Sequence, residues 1–171
     1  MRAPALVVAL CLAFPAVGAA DEPSGCIGMI TPPERLNYIS RGFSHFHTGI
    51  DLMAPYGSPI RAAAGGTVVY AGWYFAYGRI VDIRHADGLI TRYGHMSAFA
   101  SGIAPGEPVA AGEVIGRVGT TGRAHGPHVH FEVRVDGRAV DPKPYLALSH
   151  CPQPAPEPLE EAHAPEEKRA R

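Results

Sequence analysis

Long regular helices have little room in this 171-residue chain. Between Gly42 and Gly137 no glycine-free stretch exceeds ten residues, whereas globular helices average about 11–12 residues and each interior glycine costs roughly 1 kcal/mol. With 20 Gly and 17 Pro, a helical bundle is excluded. Charge is scarce as well: 18% of residues, a formal net charge of −1 and no basic stripe, so nucleic acid is not an expected partner. Lysine occurs only at Lys143, between prolines, and at Lys168. Neither suits the hairpin tip at which a lipoyl- or biotinyl-type carrier domain is loaded. What the chain does have is histidine, nine in all, seven of them between His45 and His130.

Apolar runs are short too. The first twenty residues combine Arg2, an apolar stretch from Ala5 to Phe14 and small residues at Gly18 and Ala20, the pattern of a signal peptide. That stretch falls short of the roughly 20 apolar residues that span a bilayer. Residues 1–20 are therefore expected to direct export to the periplasm or exterior, with no stable membrane insertion after cleavage. A short leader, 21–25, would precede a single domain at 26–151. Of the three cysteines, Cys26 and Cys151 bracket that domain, and in an oxidising compartment they are expected to pair. Residues 152–171 are rich in Pro and Glu with almost no large apolar side chain, the composition of a disordered tail.

Within 26–151, short β-prone runs alternate with turn residues: Gly66 to Gly72, Arg79 to His85, Leu89 to Ser97, Val114 to Gly119 and His128 to Asp136. This spacing predicts an all-β fold, a two-sheet sandwich or open barrel. The segment from Gly106 to Gly119 reads as a strand, a tight turn and a second strand.

Three histidine-bearing segments fall on these elements. In GPHVHFEVRV, Gly126 to Val135, a period of two directs Val129, Phe131, Val133 and Val135 to one face and His128, His130, Glu132 and Arg134 to the other. Same-face neighbours lie roughly 7 Å apart, so one imidazole can bind a metal while the other acts beside it. In HTGID, His47 and Asp51 would sit about 13 Å apart on an ideal strand, and Gly49 is placed to let the backbone turn and bring them together. In RYGHMS, the same period puts Tyr93 and His95 on one face, with Gly94 leaving space. Catalytic zinc needs three protein donors and an open position. His47, Asp51 and one of the paired histidines satisfy that count and leave two imidazoles for proton transfer and charge stabilisation. Spacing does not choose between His128 and His130.

The segments His47 to Gly72, Tyr77 to Ser97 and Pro105 to Pro142, together spanning about 95 residues with every motif in order, resemble the M23 metallopeptidases, the lysostaphin-type or LytM-like peptidoglycan endopeptidases. The resemblance implies an antiparallel β-fold with an open groove and one Zn²⁺ per chain. By motif it implies His47, Asp51 and His130 as metal ligands, His128 as catalytic base and His95 as the second catalytic histidine. It also implies peptidoglycan peptide as substrate, with D-alanyl to diaminopimelate cross-links the preferred bond, and a monomer is expected. The alternative function is a metal-free activator or scaffold for another wall hydrolase; intact ligand positions argue against it. Two features depart from the family: Ala124 and His125 stand where a polar Ser-Thr pair is common, and the stretch before His47 is short. His45 is expected at the rim, His85 in a structural role, and the aromatic run Trp73, Tyr74, Phe75 with Tyr77 is a candidate groove lining.

Overall fold

The computed structural model describes residues 29–147. The expected signal peptide, leader, Cys26–Cys151 pairing and tail all lie outside these residues.

Eleven strands carry the fold: β1 (Tyr38–Arg41), β2 (Ile50–Met53), β3 (Pro59–Arg61), β4 (Gly66–Trp73), β5 (Arg79–Arg84), β6 (Ile90–Met96), β7 (Ala98–Phe99), β8 (Pro108–Val109), β9 (Val114–Arg117), β10 (His128–Val135) and β11 (Arg138–Val140). A 3₁₀ turn (Phe75–Tyr77) and a short helix, α1 (Lys143–Ala147), complete it. Eight strands form one antiparallel sheet in the order β1-β2-β10-β6-β5-β4-β8, with β11 pairing the far end of β10. A second sheet of three runs β3-β9-β7. The expected all-β, antiparallel two-sheet architecture is therefore present.

A single core joins the sheets. Leu52, Val68, Val81, Tyr93 and Phe131 of the large sheet share one buried cluster with Ile60 and Ile115 of the small one. The alternation in β10 explains its place: Val129, Phe131 and Val133 enter that core, and His128, His130 and Glu132 are left on the opposite face. His85 is a structural histidine, buried between the Gly65 carbonyl at 2.8 Å and the Thr91 hydroxyl at 2.9 Å.

Two expectations need correction. The segment from Gly106 to Gly119 does contain two strands around a turn, but they do not pair with each other: β8 joins β4, and β9 joins β3 and β7. The turn thus passes the chain from one sheet to the other.

Tyr93 and His95 do not share a face. Tyr93 is fully buried against Phe131, with ring centroids 5.4 Å apart, whereas His95 lines the groove described below. The cause is a bulge in β6. Val81 opposes Tyr93 but Arg79 opposes Met96, so two residues of β6, Gly94 and His95, face the single Ile80. His95 takes up the slack with φ of 60°, and the extra residue turns its side chain away from the core.

Candidate metal centre

The middle of the large sheet positions the site. β2 and β10 pair with Asp51 opposite His130, and β10 and β6 pair with His130 opposite Gly94. Gly94 keeps His130 close to its neighbour strand, since a Cβ there would lie 3.3 Å from that of His130. His47 reaches the same point from the bend before β2. Gly49 sits in this bend, but space rather than a left-handed backbone demands glycine: a Cβ would meet the Phe131 carbonyl oxygen at 2.3 Å, His130 Nε2 at 2.9 Å and Glu132 Cγ at 3.0 Å. Gly49→Ala is expected to destabilise the fold by about 1–3 kcal/mol or more. An unchanged midpoint of urea unfolding would show that the bend yields without penalty.

His47 Nε2, Asp51 Oδ1 and His130 Nδ1 converge. Asp51 Oδ1 lies 3.1 Å from His47 Nε2 and 3.0 Å from His130 Nδ1, and the two nitrogens are 3.1 Å apart. Among the described residues this is a group that could hold a metal ion. Its chemistry fits a cation. His47 Nδ1 donates to the Gly42 carbonyl oxygen at 2.8 Å, and His130 Nε2 donates to Glu132 Oε1 at 3.1 Å. Both imidazoles therefore aim lone pairs at a carboxylate oxygen, and three acceptors face one another with no donor between them. Tetrahedral zinc with bonds of about 2.0–2.1 Å would separate such donors by about 3.3–3.4 Å, close to the spacing here.

Protons respond to the same crowding. For His130, burial opposes protonation, but hydrogen bonds to Asp51 and Glu132 outweigh it and raise the pKa. Burial would raise the pKa of Asp51, yet His130, His47 and His128 lower it overall. Glu132 is pushed up by burial and pulled down further by hydrogen bonds from His130 and Thr48, reaching about 2.

Two further imidazoles flank the group. His128 donates from Nδ1 to the Gly126 carbonyl at 2.8 Å and brings Nε2 to 3.6 Å from Asp51 Oδ1. His95 donates from Nδ1 to the Thr121 carbonyl at 2.7 Å, and its ring centroid is 4.7 Å from that of His128. Burial lowers the pKa of His95 to about 4, overcoming the opposing Thr121 contact. His95 thus presents an unprotonated Nε2 at neutral pH once its Nδ1 proton is committed to the carbonyl.

A groove of about 710 Å³ runs over these five residues and is also lined by Arg41, Phe46, Tyr77, Arg123 and His125. Of the aromatic run, Tyr77 lines it; Trp73, Tyr74 and Phe75 are exposed outside it. His45 is also outside the lining and meets Phe46 edge to face. Sequence reasoning had not singled out Thr48 or Glu132. The signal for Glu132 was available, since the period of β10 places it on the histidine face.

Residues 45–142 match the sequence profile of Peptidase family M23. The chain belongs to peptidase family M23. It is 52% identical over 96 residues to the DD-carboxypeptidase/endopeptidase Mpg of Neisseria meningitidis serogroup B, covering 56% of this chain and 22% of that protein. Among solved structures, a zinc containing peptidase from Vibrio cholerae is 30% identical with a TM-score of 0.61, covering 70% of this chain and 39% of the other. The catalytic domain of the antimicrobial peptidase lysostaphin from Staphylococcus simulans is also 30% identical, with a TM-score of 0.56, covering 70% of this chain and 89% of that domain. The M23 chain therefore spans about a fifth of the length of its curated relative Mpg. Among its described residues no helix is long and apolar enough to cross a membrane.

Proposed function

We propose that this M23 chain is an exported zinc endopeptidase that hydrolyses peptide bonds in peptidoglycan, with the D-alanyl to diaminopimelate cross-link as the preferred bond. The observation that carries the reading is the convergence of His47, Asp51 and His130 at the floor of an open groove, with two further imidazoles beside them. Membership of a peptidase family and the names of its relatives support the reaction class.

In this reading His47 Nε2, Asp51 Oδ1 and His130 Nδ1 hold one Zn²⁺, which when bound supplies Lewis acidity toward an amide carbonyl and a water molecule. The chain's own residues handle the protons. His128 Nε2, 3.6 Å from Asp51 Oδ1, takes a proton from the attacking water and returns it to the leaving amine. His95, held by Thr121, offers Nε2 to the groove. It can stabilise negative charge growing on the carbonyl oxygen only while it carries a second proton. The open walls accommodate an extended peptide, and the groove excludes a closed, water-free pocket.

Purified sacculi incubated with the protein provide the test. Mass spectrometry should detect cross-linked muropeptides converted to monomers, with conversion stopped by EDTA and restored by Zn²⁺. Cleavage that persists in EDTA would remove the metal from the mechanism. No cleavage by a zinc-loaded chain, together with stimulation of another wall hydrolase, would replace the enzyme by the activator.

A further inference from the structure

Glu132 is fully buried, yet the proposed chemistry leaves it without a task. Removing a carboxylate from water is unfavourable even when it is paired, and apolar residues of similar volume often serve a core better. The partners of Glu132 explain its place. Oε1 accepts hydrogen bonds from His130 Nε2, the Thr48 hydroxyl and the Tyr77 hydroxyl, while Arg134 donates to Oε2. Three of the four donors thus crowd the oxygen that faces His130.

An imidazole can bind a metal through either nitrogen, and the hydrogen bond made by the other decides which. The two histidines of the converging group use opposite nitrogens. His47 spends Nδ1 on the Gly42 carbonyl and turns Nε2 inward; His130 spends Nε2 on Glu132 and turns Nδ1 inward. We propose that Glu132 is a positioning residue that keeps the proton of His130 on Nε2 and so dedicates Nδ1 to the metal, with Thr48 and Tyr77 fixing the carboxylate. Gly49 supports this independently, because the atoms that a Cβ there would strike include His130 Nε2 and Glu132 Cγ. The bend before β2 is built around this pair.

The inference rests on the zinc reading above, and its test separates the two. Zinc affinity of the full chain, measured by competition with a chromophoric chelator, should fall about tenfold to a hundredfold in Glu132→Gln. Arg134→Met removes the other partner of the carboxylate; it should lower the thermal midpoint while leaving zinc affinity within about threefold of the parent. In the parent, ¹⁵N-histidine NMR of the zinc-loaded protein should find His130 protonated at Nε2 and metallated at Nδ1, a readout that does not require any variant to fold. Zinc affinity unchanged in a folded Glu132→Gln, equal losses in the two variants, or metal at Nε2 would each overturn the assignment. A parent chain that binds no zinc would overturn the zinc reading and this inference together, whereas a zinc-loaded parent insensitive to Glu132→Gln would overturn the inference alone.

Discussion

Asp51→Ala is expected to abolish stoichiometric zinc binding and reduce muropeptide cleavage to background. Asp51 Oδ1 lies between the two imidazole donors, at 3.1 and 3.0 Å, and supplies the only negative charge of the set. Without it two neutral imidazoles would face a dication, one donor short of the three that a catalytic zinc site uses. The fold should survive. The side-chain contacts of Asp51 are to His47, His128 and His130, while its backbone remains in the β1-β2-β10 ladder. Metal analysis of the purified variant, with far-UV circular dichroism as a control for folding, decides the matter. One zinc per chain with cleavage intact would remove Asp51 from the ligand set.

His128→Ala should behave differently, retaining zinc and losing about 10²- to 10⁴-fold in turnover, the range typical of a missing general acid–base group. His128 Nε2 stands 3.6 Å from Asp51 Oδ1, outside the 3.0–3.1 Å cluster of the three proposed ligands. Its ring is held by the Gly126 carbonyl, and its contact with Asp51 is longer than those among the three proposed ligands. Kinetics on a defined cross-linked muropeptide should therefore show the deficit in kcat with zinc content unchanged. Loss of zinc from this variant would make His128 a ligand, and turnover within tenfold of the parent would end its role as base.

Much of the architecture was legible because glycine and proline punctuate it. The β-prone runs at Gly66 to Gly72, Arg79 to His85, Leu89 to Ser97, Val114 to Gly119 and His128 to Asp136 correspond to β4, β5, β6, β9 and β10 within a few residues. Strands β1, β2 and β3 were not, since three or four residues give a period of two too little length to register. β10 was the most informative element, for its alternation carried both the core contacts of Phe131 and the site face of His130. The same rule failed in β6. It cannot detect an extra residue, and the bulge at Gly94 and His95 appears only when Ile80 is laid opposite. Glu132 illustrates a different gap. Its face was readable, but its task depends on Thr48 and Tyr77, which lie 84 and 55 positions away.

That bulge also makes the length of β6 matter independently of its composition. Before it, Tyr93 is committed to the core; after it, Met96 is committed to the core again; His95 escapes only because one residue is surplus. A substitution at Gly94 or His95 alters one side chain. Loss of either residue would leave one residue opposite Ile80 and Met96 still opposite Arg79, so the core contacts would keep their frame while the groove lost either His95 itself or the bulge that turns its side chain outward. Packing therefore tolerates the surplus residue of β6 and the groove makes use of it, so the spacing between Tyr93 and Met96 is itself part of the site.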